Sequence, residues 1–154
     1  MRTPRIRAAD APGGAVTEVR VQGRRLPLPA ATVRRVVRGV LARERRAASV
    51  SVTFLGRDAM RRLNRNYKGH DRATDVLAFA LPGPAGGPPL GDVYVCRDVA
   101  RREAAARGIR EREELVRLVV HGTLHVLGHE HPDDERRTRS AMWRRQERYV
   151  EALA

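Results

Sequence analysis

Four of the chain's five histidines fall within one stretch, HGTLHVLGHEH, and three of them, His121, His125 and His131, have the spacing of ligands to one ion. Imidazoles four residues apart lie one above the other on a helix face, so His121 and His125 can reach a common ion. Gly128 is suited to the left-handed position that ends a helix, which lets the chain double back and bring His131 to the same point. Pro132 then stops the helix from resuming. Three neutral imidazoles make a zinc site with its fourth tetrahedral position open, the form of a catalytic rather than a structural centre. One Zn2+ per chain is the expected cofactor.

The spacing H-x3-H-x2-G-x2-H is that of the metzincin zinc proteases, with one departure. Where those enzymes carry the glutamate that accepts a proton, this chain has Gly122. Glycine cannot act as a base, so peptide hydrolysis by that route is not expected. Lacking a Cβ, Gly122 either leaves room beside the metal for a bulky substrate or lets another segment approach closely. On the first reading, Gly122→Glu would set a carboxylate beside the metal and repel a phosphate.

The surrounding chain is strongly basic: 31 Lys and Arg against 18 Asp and Glu give 154 residues a net charge of +13. That balance points to a polyanionic partner. Lys68 is the only lysine, and the rest of the basic charge is arginine. With Cys96 as the single cysteine, no intrachain disulfide can form, and a reducing compartment is the simpler expectation. The opening MRTPRIRAADAPGG has no apolar stretch after its charges, and no run approaches the ~18 apolar residues of a membrane-spanning helix. The expected location is cytoplasmic.

Hydrophobic periodicity supplies the frame. VTEVRV alternates as a strand, and Val33, Val36, Val37, Val40 and Leu41 then recur at helical spacing. SVSVTFL, from Ser49, alternates as a second strand. Met60, Leu63, Asn64 and Tyr67 mark a short helix with Gly69 as its stop. DVLAFAL, a continuous apolar run, reads as a central strand buried on both faces. After the Pro- and Gly-rich PGPAGGPPL comes GDVYVC, an antiparallel neighbour for it. Helices follow: one closing at Gly108, one from about Arg110 to Leu127, and one from about Glu135 to Ala152. The helix before Leu127 is apolar all round from Leu115 onward, which places it in the core. The expectation is an α+β fold. A small mixed sheet of about four strands, one antiparallel, packs with about five helices, and the zinc site lies at the end of a buried central helix. Residues 1–15 read as a loose tail and 16–154 as a single catalytic domain.

Taken together, these segments resemble the YbeY family of bacterial metal-dependent endoribonucleases. HGTLHVLGHEH is similar to that family's H-G-x-L-H-L-x-G-Y/H-D-H. LNRNYKGHDRATDVLAF, residues 63–79, is similar to its LNxxYRxxDxxTDVLSF, and GDVYVC, residues 91–96, to its GDIxIS. The resemblance implies metal ligands at His121, His125 and His131, with His121 and Lys68 in the catalytic machinery. Lys68 stands where the family has Arg, keeping the charge but losing the bidentate fork. Glu130 stands for an Asp, and Ala78 and Cys96 each stand for a Ser.

The implied activity is zinc-dependent cleavage of single-stranded RNA in ribosomal RNA processing, including the 3′ end of the small-subunit RNA, and in ribosome quality control. Single-stranded RNA, ribosomal RNA and the small ribosomal subunit are the implied partners, with no membrane and no DNA expected. Glu130 and Asp75 are both open as general bases. Asn64, Asp71, Thr74 and Asp75 read as loop-ordering residues, His129 as a solvent-facing neighbour of the ligands, His70 as a loop residue and Trp143 as a packing residue. Two rivals stand beside this reading. One is a metzincin-like protease, which needs a carboxylate from elsewhere. The other is a non-catalytic zinc-containing ribosome-assembly factor, whose closed site needs a fourth ligand for which Cys96 is the one thiol.

Overall fold

The computed structural model describes residues 17–154. The expected tail at 1–15 and the start of the domain at residue 16 lie outside the described residues. Element order is β1 (Val19–Gln22), α1 (Ala30–Glu44), β2 (Ser49–Leu55), α2 (Arg57–Lys68), β3 (Val76–Leu81), β4 (Leu90–Cys96), α3 (Arg97–Arg107), α4 (Glu111–Val126) and α5 (Ala141–Leu153). The sheet order is β1-β2-β4-β3, with β1, β2 and β4 parallel and β3 antiparallel to β4. The mixed four-stranded sheet and five helices agree with the sequence expectation.

Each element follows from its residue pattern. In α1, Val33, Val36, Val37, Val40 and Leu41 are all buried, the stripe that the spacing predicts. Along β2, buried and half-buried residues alternate, and Val50, Val52 and Phe54 turn toward the helices. Gly69 and Gly108 end α2 and α3 in left-handed conformations, at φ 73° and 64°. α4 is the buried helix: from Glu114 to Val126 every residue except His125 is buried. It packs on β3 and β4 and is flanked by α1, α3 and α5.

Two expectations are corrected. The DVLAFAL run is not the central strand. It forms the edge strand β3, where Leu77 is the one buried residue and Ala80 and Leu81 are exposed. An apolar run reports burial on at least one side, and β3 obtains it from α4 on one face and from an aromatic group on the other. Phe79 sits there between Tyr67 and Tyr94, with ring centroids 5.3 and 6.0 Å away. The inner positions belong to β2 and β4, and β4 is paired with both β2 and β3.

The last helix does not run unbroken from Glu135. A 3₁₀ turn at Glu135–Arg139 comes first, capped by Asp134, whose Oδ1 accepts from the Arg136 N–H at 2.9 Å. Ser140 then caps α5, its Oγ accepting from the Trp143 N–H at 3.1 Å. Serine at this position favours a fresh start over a continuous helix.

Glycines set how closely α4 lies on the sheet. A Cβ on Gly122 would come within 2.4 Å of Val93 Cγ1, and a Cβ on Gly91 within 2.3 Å of Val126 Cγ2. Neither gap accommodates a methyl group. The two glycines, one on each element, form a reciprocal notch that lets helix and strand meet backbone to side chain.

Candidate metal centre

The end of α4 carries the constellation. His121 is 6 % exposed and His125 half-buried, and their Nε2 atoms stand 3.0 Å apart. Past Leu127, Gly128 adopts φ 95°. Its N–H donates to His125 O at 2.9 Å, and the His129 N–H donates to Leu124 O at 3.0 Å. These two bonds are the Schellman pairing that closes a helix and reverses its chain. The reversal brings His131 in, so that one ring nitrogen from each of His121, His125 and His131 lies within 4.8 Å of the others.

Two of the rings are held by outer partners. His121 Nδ1 faces Gln146 Oε1 at 2.6 Å, and Gln146 is 1 % exposed on α5. His131 Nδ1 lies 2.8 Å from Pro132 O. In each case Nδ1–H donates and Nε2 keeps its lone pair for an ion, the usual arrangement around a metal-binding histidine. Gln146 is steadied in turn, since its Nε2 donates to Glu147 at 3.3 Å and Glu147 accepts from Arg117 at 2.9 Å. Arg117 is itself buried within α4 and also paired with Glu113 and Glu114. A chain of polar contacts thus runs from α4 through α5 and back to the metal-facing ring.

Electrostatics favour neutral imidazoles. Burial, then the neighbouring His125, pushes His121 down to about 3 despite the bond to Gln146, with Arg137 and His131 adding to the effect. Burial, then His131, lowers His125 to about 4, with smaller contributions from Arg137 and Lys68. Neutral nitrogens are the state a divalent ion requires, and burial holds His121 and His125 in it. The trio is therefore capable of coordinating a metal ion, and its donor set is consistent with zinc.

The cluster opens into a cavity of about 510 Å³. Lys68, Asp75, Glu130, Asp133 and Arg137 share its walls with the three histidines. Lys68 therefore stands at the site, its Nζ also 5.7 Å from the Phe79 ring centroid. Both open candidates for the base are there. Asp75 is half-buried, one carboxylate oxygen accepting from the Val76 N–H at 2.8 Å and facing Thr74 Oγ1 at 3.4 Å. Glu130 is exposed.

Other residues have structural work. Asn64 Nδ2 donates to Arg72 O at 2.9 Å, and Asp71 pairs with Arg61, so both order the loop after α2. His129 is not merely solvent-facing: its Nε2 meets Glu44 at the end of α1, where Arg145 and Tyr149 also converge. Burial works against the charge on Glu44, yet the bonds from Tyr149, His129 and Arg145 together hold its pKa below the ordinary value. Cys96 is buried at the end of β4 among Met60, Leu63 and Val99, apart from the histidine cluster. The thiol a closed four-ligand site would need is thus elsewhere.

Gly122 takes its second reading. Its missing Cβ makes room for Val93 of β4 and not for a substrate beside the metal, so a carboxylate at 122 would meet the sheet.

Residues missed from sequence are Gln146, Asp133 and Arg137. Gln146 had a signal, a polar side chain on the same α5 face as buried Met142, Tyr149, Val150 and Leu153. Arg137 had none among so many arginines.

Comparison with known proteins agrees with this geometry. The family model described as Endoribonuclease YbeY matches residues 20–154. A relative from Halorhodospira halophila, named Endoribonuclease YbeY, is 41 % identical over 93 residues, covering 57 % of this chain and 60 % of its own. One of the same name from Thermus thermophilus is 40 % identical over 117 residues, covering 66 % of this chain and 84 % of its own. The solution structure of a protein from Thermotoga maritima superimposes with a TM-score of 0.61 at 26 % identity over 88 % of both chains. The aligned portions span from about a third to most of the curated relatives, 32 % in one from Myxococcus xanthus and 84 % in the Thermus protein.

Proposed function

The chain belongs to the YbeY family of endoribonucleases, and from that premise we propose that it is a zinc-dependent endoribonuclease that cuts single-stranded RNA during ribosomal RNA processing. The small-subunit RNA, near its 3′ end, is the proposed substrate, and the small ribosomal subunit the proposed partner. One observation carries the reading: three imidazoles converge in a cavity whose walls also bear Lys68 and Arg137, while position 122 supplies no catalytic carboxylate.

His121, His125 and His131 would hold the ion, with Gln146 and the Pro132 carbonyl fixing the first and last rings. When bound, zinc supplies Lewis-acid polarisation of the scissile phosphate. Lys68 places a positive charge at the cavity wall, where it offsets the charge that grows on the phosphoryl oxygens. Asp75 is the better-placed proton acceptor of the two candidates. It is half-buried beside the ligands, and one of its carboxylate oxygens is held by a backbone N–H, which fixes the direction of the other. A substrate of high negative charge suits a surface of net charge +13.

The deciding measurement pairs metal analysis of the purified protein with RNA cleavage before and after chelation. The expected result is about one zinc per chain and chelator-sensitive cutting of single-stranded RNA, with casein left intact. Casein digestion without RNA cleavage would overturn the nuclease reading in favour of a protease. Metal bound with neither activity would leave an assembly factor.

A further inference from the structure

Arg137 lies on the 3₁₀ turn before α5, on the wall shared by the metal cavity and a side chamber of about 160 Å³ behind His121. Its guanidinium carbon sits 5.9 Å from the centre of the Trp143 ring, a cation–π contact that holds the planar group in one place. Other arginines around it are paired. Arg117 is paired with three glutamates, Arg107 with Glu114, and Arg136 with Asp134. Arg137, by contrast, makes no ion pair among the described residues, and its Nε is buried with no acceptor. A buried N–H without a partner is rare in folded chains. It shows that the guanidinium, on a residue lining the cavity, has no protein acceptor for that N–H.

Chemistry narrows the acceptor that a ligand can bring. A planar guanidinium offers parallel N–H groups matched to two oxygens of one phosphate or carboxylate. Arg137 and the three histidines line one cavity, so an anion held by the guanidinium lies in the same space as the metal position. Lys68, on the same cavity, contributes a point charge without a fork.

We propose that Arg137, seated on Trp143, is a phosphate-binding subsite of the metal cavity that grips a phosphodiester of the bound single strand. The proposal rests on the endoribonuclease reading for its substrate but not for its geometry. Lys68 neutralises charge, and Arg137 sets the register in which the backbone lies across the site.

The test is binding of a fluorescent single-stranded oligoribonucleotide to chelator-stripped protein over a range of salt, which needs no turnover. Arg137→Ala should weaken binding roughly ten- to a hundredfold. It should also flatten the dependence of log affinity on log salt by about 0.7, the share of one phosphate contact on a single strand. Arg137→Lys should keep the slope and recover only part of the affinity. Arg136→Ala, one residue away and exposed, should change neither, and all variants should bind zinc as the wild type does. Wild-type affinity and slope in Arg137→Ala would overturn the subsite, as would equal losses in Arg136→Ala, which would mean diffuse surface charge. Loss of zinc in Arg137→Ala would also overturn it, by assigning the residue to the architecture of the centre. Wild-type protein that binds RNA with the expected Arg137 dependence yet never cuts it would remove the nuclease reading and leave the subsite standing. Wild-type protein that binds no RNA would remove both.

Discussion

A histidine becomes a metal ligand through what holds its other nitrogen, and here that holder is Gln146 on a different helix. Gln146→Leu keeps the size of the side chain but removes the acceptor for His121 Nδ1–H. Zinc affinity, measured by competition with a chromophoric chelator, should fall about 10- to 100-fold, the usual cost of losing an outer partner. An unchanged affinity would show that packing alone orients the ring. His121→Ala, His125→Ala and His131→Ala should each lose most of the bound zinc, since two imidazoles make a weak site. His129→Ala should retain it, because that ring binds Glu44 and not the cluster. Equal zinc in all four variants would contradict the ligand assignment.

Among the elements, the contact of α4 with β4 is set by Gly122 and Gly91. Gly122→Ala drives a methyl group against Val93 and should destabilise the protein by about 1–3 kcal/mol in urea unfolding. Combining it with Val93→Ala should cost less than the sum of the two single changes, because the smaller partner admits the new methyl. Strict additivity would mean that the helix does not seat on that valine. The convergence of His121, His125 and His131 was legible from spacing, because i, i+4 periodicity and a glycine stop are local properties of the chain. The strip of valines in α1 and the alternation in β2 were legible for the same reason. The place of β3 was not, since an apolar run records that a strand is covered without recording how many neighbours it pairs with. The break before α5 was written in Ser140, but a cap competes with helical periodicity on nearly equal terms. The purpose of Gly122 depended on Val93, a residue 29 positions away that no local pattern connects to it.

For the molecule as a whole, buried imidazoles make stability depend on pH. His121 and His125 titrate near 3 and 4 in the folded chain but near 6.5 when exposed. Between those values the unfolded chain takes up protons that the folded one refuses, so metal-stripped protein should lose stability as pH falls from about 6.5 toward 4. Glu44, Asp71 and Asp134, whose values are lowered, contribute in the same direction only below their ordinary values of 4.5 and 3.8. The early part of the decline, down to about pH 5, thus belongs to the histidines. Urea unfolding across this range checks it, and a flat profile would mean that the rings are hydrated. The glycine notch also has a historical meaning. A lineage carrying this scaffold could not acquire the protease glutamate by one codon change, because the side chain at 122 would first have to displace a valine from the middle of the sheet. Two substitutions are needed, and either alone damages the fold, so a fitness valley separates this helix from its protease counterpart, whatever selection rewards on the far side.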